Sequence, residues 1–124
     1  MDLRYIELKT GYHDDGPAWI GNVRESKSGR TLYFNDHGFQ RHNGMQGNYI
    51  DVESGEEYWV SGIKKDGTDR HWAGRGPVVI DRKAVDEYLR LTGMTRLGES
   101  RFIVQDIPDV FPVDRIRNLL NQPQ

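Results

Sequence analysis

Through its first 80 residues the chain is interrupted at short intervals by clusters of Gly, Asn, Asp, Ser and Pro, with aromatic or β-branched runs between them. That spacing leaves room for strands and tight hairpins but not for long helices, because Asn, Asp and Gly tolerate the positive φ that tight turns need. Residues 3–8 alternate as a strand does, residues 11–17 form a loop, and residues 18–24 make a second strand. In that strand Trp19 and Val23 share one face and Ile20 takes the other. Lys27-Ser28-Gly29 turns the chain into a strand over 30–34, and Asn35-Asp36-His37-Gly38 turns it again into 39–41. After a glycine-rich loop, strands over 48–52 and 56–63 flank Glu53-Ser54-Gly55. Lys64-Lys65-Asp66-Gly67 makes the next turn, a strand continues over 69–72, and Val78-Val79-Ile80 is a short buried strand.

The period then changes. Asp81 is placed to cap a helix over about 82–91, with Val85, Tyr88 and Leu89 on its apolar stripe and Gly93 as its stop. Residues 101–105 read as one more strand. Pro112 suits the first turn of a last helix, in which Val113, Ile116, Leu119 and Leu120 share a face. The expectation is a mainly β, α+β domain: a small curled antiparallel sheet or SH3-like barrel with a helix packed on it. One domain spans residues 1–124, a hairpin body over about 1–80 and a helical, mixed part over about 81–121. The 124 residues fit one core, and three Trp, six Tyr and four Phe supply buried area that the 35% hydrophobic content alone would not.

A net charge of −2, from 17 basic and 19 acidic residues, gives no overall attraction to nucleic acid or anionic membrane. The absence of cysteine removes disulfides, thiol catalysis and Cys-ligated zinc. Met1-Asp2-Leu3-Arg4-Tyr5 lacks the apolar core of a secretory signal, and no apolar run approaches a membrane span of about 20 residues. The expected location is cytoplasmic, with no membrane association.

The residues 69–76, Asp-Arg-His-Trp-Ala-Gly-Arg-Gly, form the most unusual stretch. Arg70 and Arg75 are suited to grip a carboxylate or phosphate, and Trp72 to stack on a ring, with His71 on the opposite face of the strand. Lys64 and Lys65 precede them. The competing structural account makes Trp72 a core residue and pairs Arg70 with Asp66 or Asp69. Of Tyr58 and Trp59, adjacent on a strand, one ring belongs to the core and the other is a contact anchor. His13, His37 and His42 read as turn histidines, and no metal motif is present. Asp51, Glu53, Glu56 and Glu57 read as a solvated acidic hairpin, and residues 26–31 as a polar turn, since the P-loop pattern leading into a helix is missing.

The runs GPAWIG (16–21), SKSGRTLYFN (26–35), GNYIDVESGEEYWVSGIKKDGTDRHWAG (47–74) and VVID (78–81) resemble a family of small uncharacterised bacterial proteins. Its members often carry a label copied from 1-deoxy-D-xylulose-5-phosphate synthase. A thiamine-diphosphate enzyme of that kind needs several α/β domains and a metal–diphosphate motif, which 124 residues do not hold. The resemblance therefore implies a shared small fold, and it assigns no catalytic residue and no cofactor.

The functional expectation is a non-catalytic binding module that recognises a protein partner through an aromatic and basic surface: Trp72, Arg70, Arg75, Lys64, Lys65, Tyr58 and His71. A nucleic-acid-binding barrel using the same residues is the alternative, marked by steep salt dependence. A small hydrolase or nuclease using His71 or His42 comes third.

Overall fold

The computed structural model describes residues 1–9, 16–69 and 76–121. Eight strands form one sheet: β1 (Asp2–Leu8), β2 (Ala18–Glu25), β3 (Thr31–Phe34), β4 (His37–Arg41), β5 (Tyr49–Asp51), β6 (Glu57–Gly62), β7 (Val78–Asp81) and β8 (Phe102–Gln105). Their order is β1-β6-β5-β4-β3-β2-β7-β8, and a further β1–β2 pairing closes the first six strands into an antiparallel barrel. The expected small α+β barrel is the observed architecture.

β2 makes the closure possible, because it serves three neighbours. One edge pairs with β1 from Asp2↔Val23 to Glu7↔Ala18. The other edge is shared: Trp19 and Ile20 pair in parallel with Val79 and Ile80 of β7, and Arg24 and Glu25 pair with β3. The sequence pattern implies antiparallel hairpins throughout, and the β7–β8 extension departs from it. Both β7–β2 and β8–β7 are parallel. The connection between β7 and β8 carries a 3-10 turn (Arg82–Ala84) and helix α1 (Val85–Thr92), the crossover that a parallel pair requires. Asp81 accepts from the Lys83 backbone N–H at the start of the turn, and Gly93 takes the left-handed conformation (φ 73°) that ends the helix, as its position in the sequence implies.

Two cores result, and β1 contributes to both. Ile6 points into the barrel with Val23, Leu32, Phe39, Tyr58 and Val60. Leu3 and Tyr5 point outward, into a second layer with Ile20, Ile80 and the Tyr88 of α1. Tyr88 stacks edge-on against Phe102 of β8, 5.5 Å between centroids. Burial of this second layer pushes the Tyr88 phenol up to about 12.

The C-terminal segment straps the barrel. Ile107 is buried in the barrel core, and its backbone is tied to Asp81 and to Lys83 Nζ. Helix α2 (Val113–Leu120) follows, with Pro112 immediately before its first residue. Ile116 alone of the expected apolar face is fully buried, lying over Gly38 of β4. Leu119 and Leu120 stay 36% and 40% exposed, because α2 meets the barrel along a single line.

Candidate functional site

The site is built on two turns at one end of the barrel. Asn35 and Asp36 both take positive φ (47° and 66°), the two-residue turn that matches strand twist, so the turn is shorter than the four residues expected. His37 is thereby the first residue of β4, paired with Phe34, rather than a turn residue. On the neighbouring hairpin, Asp51 ends β5 opposite Phe39. Phe39 points inward, and so does Asp51, which is only 2% exposed.

These registers bring His37 and Asp51 together across 14 positions of sequence. His37 Nδ1 lies 2.9 Å from Asp51 Oδ2, and the other carboxylate oxygen accepts from the backbone N–H groups of Glu53 and Ser54. The imidazole stacks on Phe39 at 5.9 Å and 14°, and Phe39 packs on Tyr58 at 4.6 Å. His37 is thus oriented on one side and half exposed on the other.

Behind it lies a hollow lined by Ile6, Trp19, Phe34, Asn35, His37, Phe39 and Tyr58, with about 210 Å³ of empty space counting the part open to solvent. Burial, together with the charges of Asp51 and Glu56, pushes the Tyr58 phenol up to about 12, so it stays neutral. In front, Asn35, Asp36, His37, Asp51, Glu53, Ser54 and Arg115 line a shallow groove. Arg115 of α2 bridges the two turns: it donates to Asp36 Oδ1 at 2.8 Å, to the Asp36 carbonyl at 2.7 Å and to Glu53 Oε1 at 2.9 Å. Asp36, Glu53 and Asp51 line this groove with a single guanidinium, which pairs with the first two, so the lining is acidic.

The residues singled out from sequence fall differently. Tyr58 lines the hollow and is buried, while Trp59 stands 42% exposed on the outer wall opposite Glu7. Lys64 and Lys65 are exposed just beyond the far end of β6, so the structure separates them from Tyr58. Arg70, His71, Trp72, Arg75 and His13 lie outside the described residues. His42 is exposed at the opposite end of β4 from His37, its backbone N–H donating to Asn48. The acidic hairpin is not wholly solvated, since Asp51 is buried. Sequence reasoning missed the His37–Asp51 pairing, Trp19, Asn35 and Arg115. The Asn35-Asp36 dipeptide was the one available signal, because it specifies a two-residue turn and hence the strand position of His37.

Among the described residues no group of three or more His, Asp or Glu side chains is placed to hold a metal ion. No described helix is long and apolar enough to cross a membrane. Comparison with family models, curated proteins and solved structures finds no match to the chain.

Proposed function

We propose that the chain is a non-catalytic binding module that recognises a protein partner at the barrel end holding Trp19, His37 and Tyr58. The supporting observation is the hollow opening into a charged groove. The hollow is well below the ~300–1,000 Å³ of pockets that enclose a nucleotide-sized or drug-sized ligand, so a partner would be read across the surface at this end of the barrel. An aromatic centre with a polar rim is also the usual anatomy of a protein–protein contact. Of the expected residues this reading keeps Tyr58, to which Trp19 is added, while Lys64 and Lys65 lie away from it. The groove beside it carries Asp36, Asp51 and Glu53, whose charge disfavours phosphate.

His37 held by a buried carboxylate also has the form of an acid–base dyad. Among the described residues no serine, threonine or tyrosine hydroxyl is hydrogen-bonded to it.

The test is a matched co-purification from host-cell lysate with three folded baits: wild type, Trp19→Ala, and Lys64→Ala/Lys65→Ala. A protein retained by wild type and by the lysine variant, but lost by Trp19→Ala, supports the reading. Equal retention by all three overturns it. Nucleic acid lost only by the lysine variant would instead favour the nucleic-acid reading.

A further inference from the structure

Strand β8 leaves one of its edges open. It pairs with β7 alone, and among the described residues nothing pairs with its opposite edge. The phase of the β7–β8 ladder says which backbone groups face outward. The Val78 N–H donates to the Arg101 carbonyl in a register where Val78 lies opposite Phe102, so residues 101, 103 and 105 turn their backbone groups toward β7. Phe102 and Val104 turn theirs away. The Phe102 N–H is taken by the Gly98 carbonyl, which closes that end of the edge. At the other end the Ile107 N–H turns back toward Asp81, so the Asp106 N–H before it faces out. The outward set is therefore the Phe102 C=O, both backbone groups of Val104, and the Asp106 N–H.

Monomeric proteins guard such an edge with charge, proline or a bulge. β8 has none of these: it reads Phe-Ile-Val-Gln, with Ile103 and Val104 42% and 36% exposed. The outward set is also self-complementary. Turned about a two-fold axis at Val104, each Val104 N–H meets the other Val104 C=O, and each Asp106 N–H meets the other Phe102 C=O. No outward group is left over. Charge selects the same arrangement. Arg101 precedes β8 and Asp106 follows it, and the exposed ion pair with Arg82 leaves the Asp106 carboxylate largely open to solvent. Antiparallel pairing sets the cationic end of each strand beside the anionic end of the other, whereas parallel pairing sets like ends together. We infer that β8 is a self-association surface, at which a second copy of this chain adds its own β8 antiparallel and continues the sheet across both molecules.

The paired length is short, four residues on each side. It is a small part of the ~1,200–2,000 Å² that stable interfaces bury, so the dimer is weak, with a dissociation constant of about 10 μM to 1 mM. None of the residues in this surface lines the hollow or the groove at the Trp19 and His37 end, so a dimer presents that end twice.

Sedimentation velocity on the full chain, over a dilution series from about 1 mM downward, reads the association. The expected result is a monomer–dimer equilibrium, in which the Val104 amide exchanges freely in dilute solution and becomes protected as concentration rises. Val104→Pro deletes an N–H that makes no bond to β7. It should weaken association about fivefold to a hundredfold, the loss of one hydrogen bond per copy. Val104→Lys keeps the backbone intact and sets two like charges opposite each other at the axis, so it serves where proline disturbs the strand. The chain has no cysteine, so a single introduced thiol reports the register. Under mild oxidation Val104→Cys should cross-link into a dimer, because hydrogen-bonded antiparallel pairs hold their Cα atoms about 5.5 Å apart. Ser28→Cys, at the exposed turn between β2 and β3, should not.

A monomer at every concentration overturns the inference. So does a dimer that Val104→Lys leaves undiminished, and so does equal cross-linking by the two cysteine variants.

Discussion

Asp51 does two jobs with two oxygens. Oδ1 closes the turn through Glu53 and Ser54, and Oδ2 holds the His37 ring. Asp51→Ala removes both and should cost about 2 kcal/mol in denaturant unfolding, since these bonds go to a charged acceptor. Asp51→Asn keeps Oδ1 for the turn and should cost about half as much. Its amide would donate toward His37, so the imidazole proton should move from Nδ1 to Nε2, a change visible in ¹⁵N spectra. An unchanged tautomer would show that Asp51 does not set the ring. Asp69 is the opposite case. One of its oxygens accepts from the Lys64 N–H, and the other is buried with no hydrogen-bond partner among the described residues. Burial raises its carboxyl above the ordinary value, with Lys64 pulling the other way. A raised acid means that the folded state binds the proton more tightly than the unfolded one. Its contribution to stability is therefore largest below the ordinary carboxylate value, and falls as pH rises through that value toward the raised one. Asp69→Asn should melt higher than wild type at pH 7, and the difference should vanish below about pH 3.5. A difference that persists there would mean that charge is not the cause.

At the scale of elements, helix α2 reaches the barrel through one close approach. A Cβ at Gly38 would overlap Ile116 Cγ1, so Gly38→Ala must push the helix outward. The expected cost is about 1–3 kcal/mol. Ile116→Ala alone should cost about 2–4 kcal/mol by leaving a cavity. In the double variant the new methyl enters the vacated space, so its destabilisation should be smaller than the sum of the two. Additive costs would show that the helix and β4 are not in contact in solution. The element boundaries themselves were largely legible. Alternation and turn residues located the described strands to within a residue or two, and Asp81 and Gly93 marked the ends of the helical segment, because caps and turns are local chemistry. The face of the Tyr58-Trp59 pair was not legible. Period-2 alternation says that the two rings diverge, and only the pairing of β6 with β1 and β5 says which one is inside.

For the whole molecule, closure depends on β1 and β2, each paired along both edges, while β8 is paired only to β7. Amide exchange should therefore be slowest in β1 and β2, and fastest, among strand residues, at the β8 amides that point away from β7. If β1 amides exchanged as fast as those of β8, the barrel would not be closed. The sequence by itself determined the strands, the helix between β7 and β8 and the class of fold, since each rests on side-chain period and turn conformation within a few residues. Only the tertiary structure decided that β7 and β8 run parallel, that Arg115 bridges two hairpins, and that His37 meets Asp51 beside an aromatic hollow. Those contacts join residues far apart along the chain, and their energy depends on strand register and barrel closure, which no local pattern encodes.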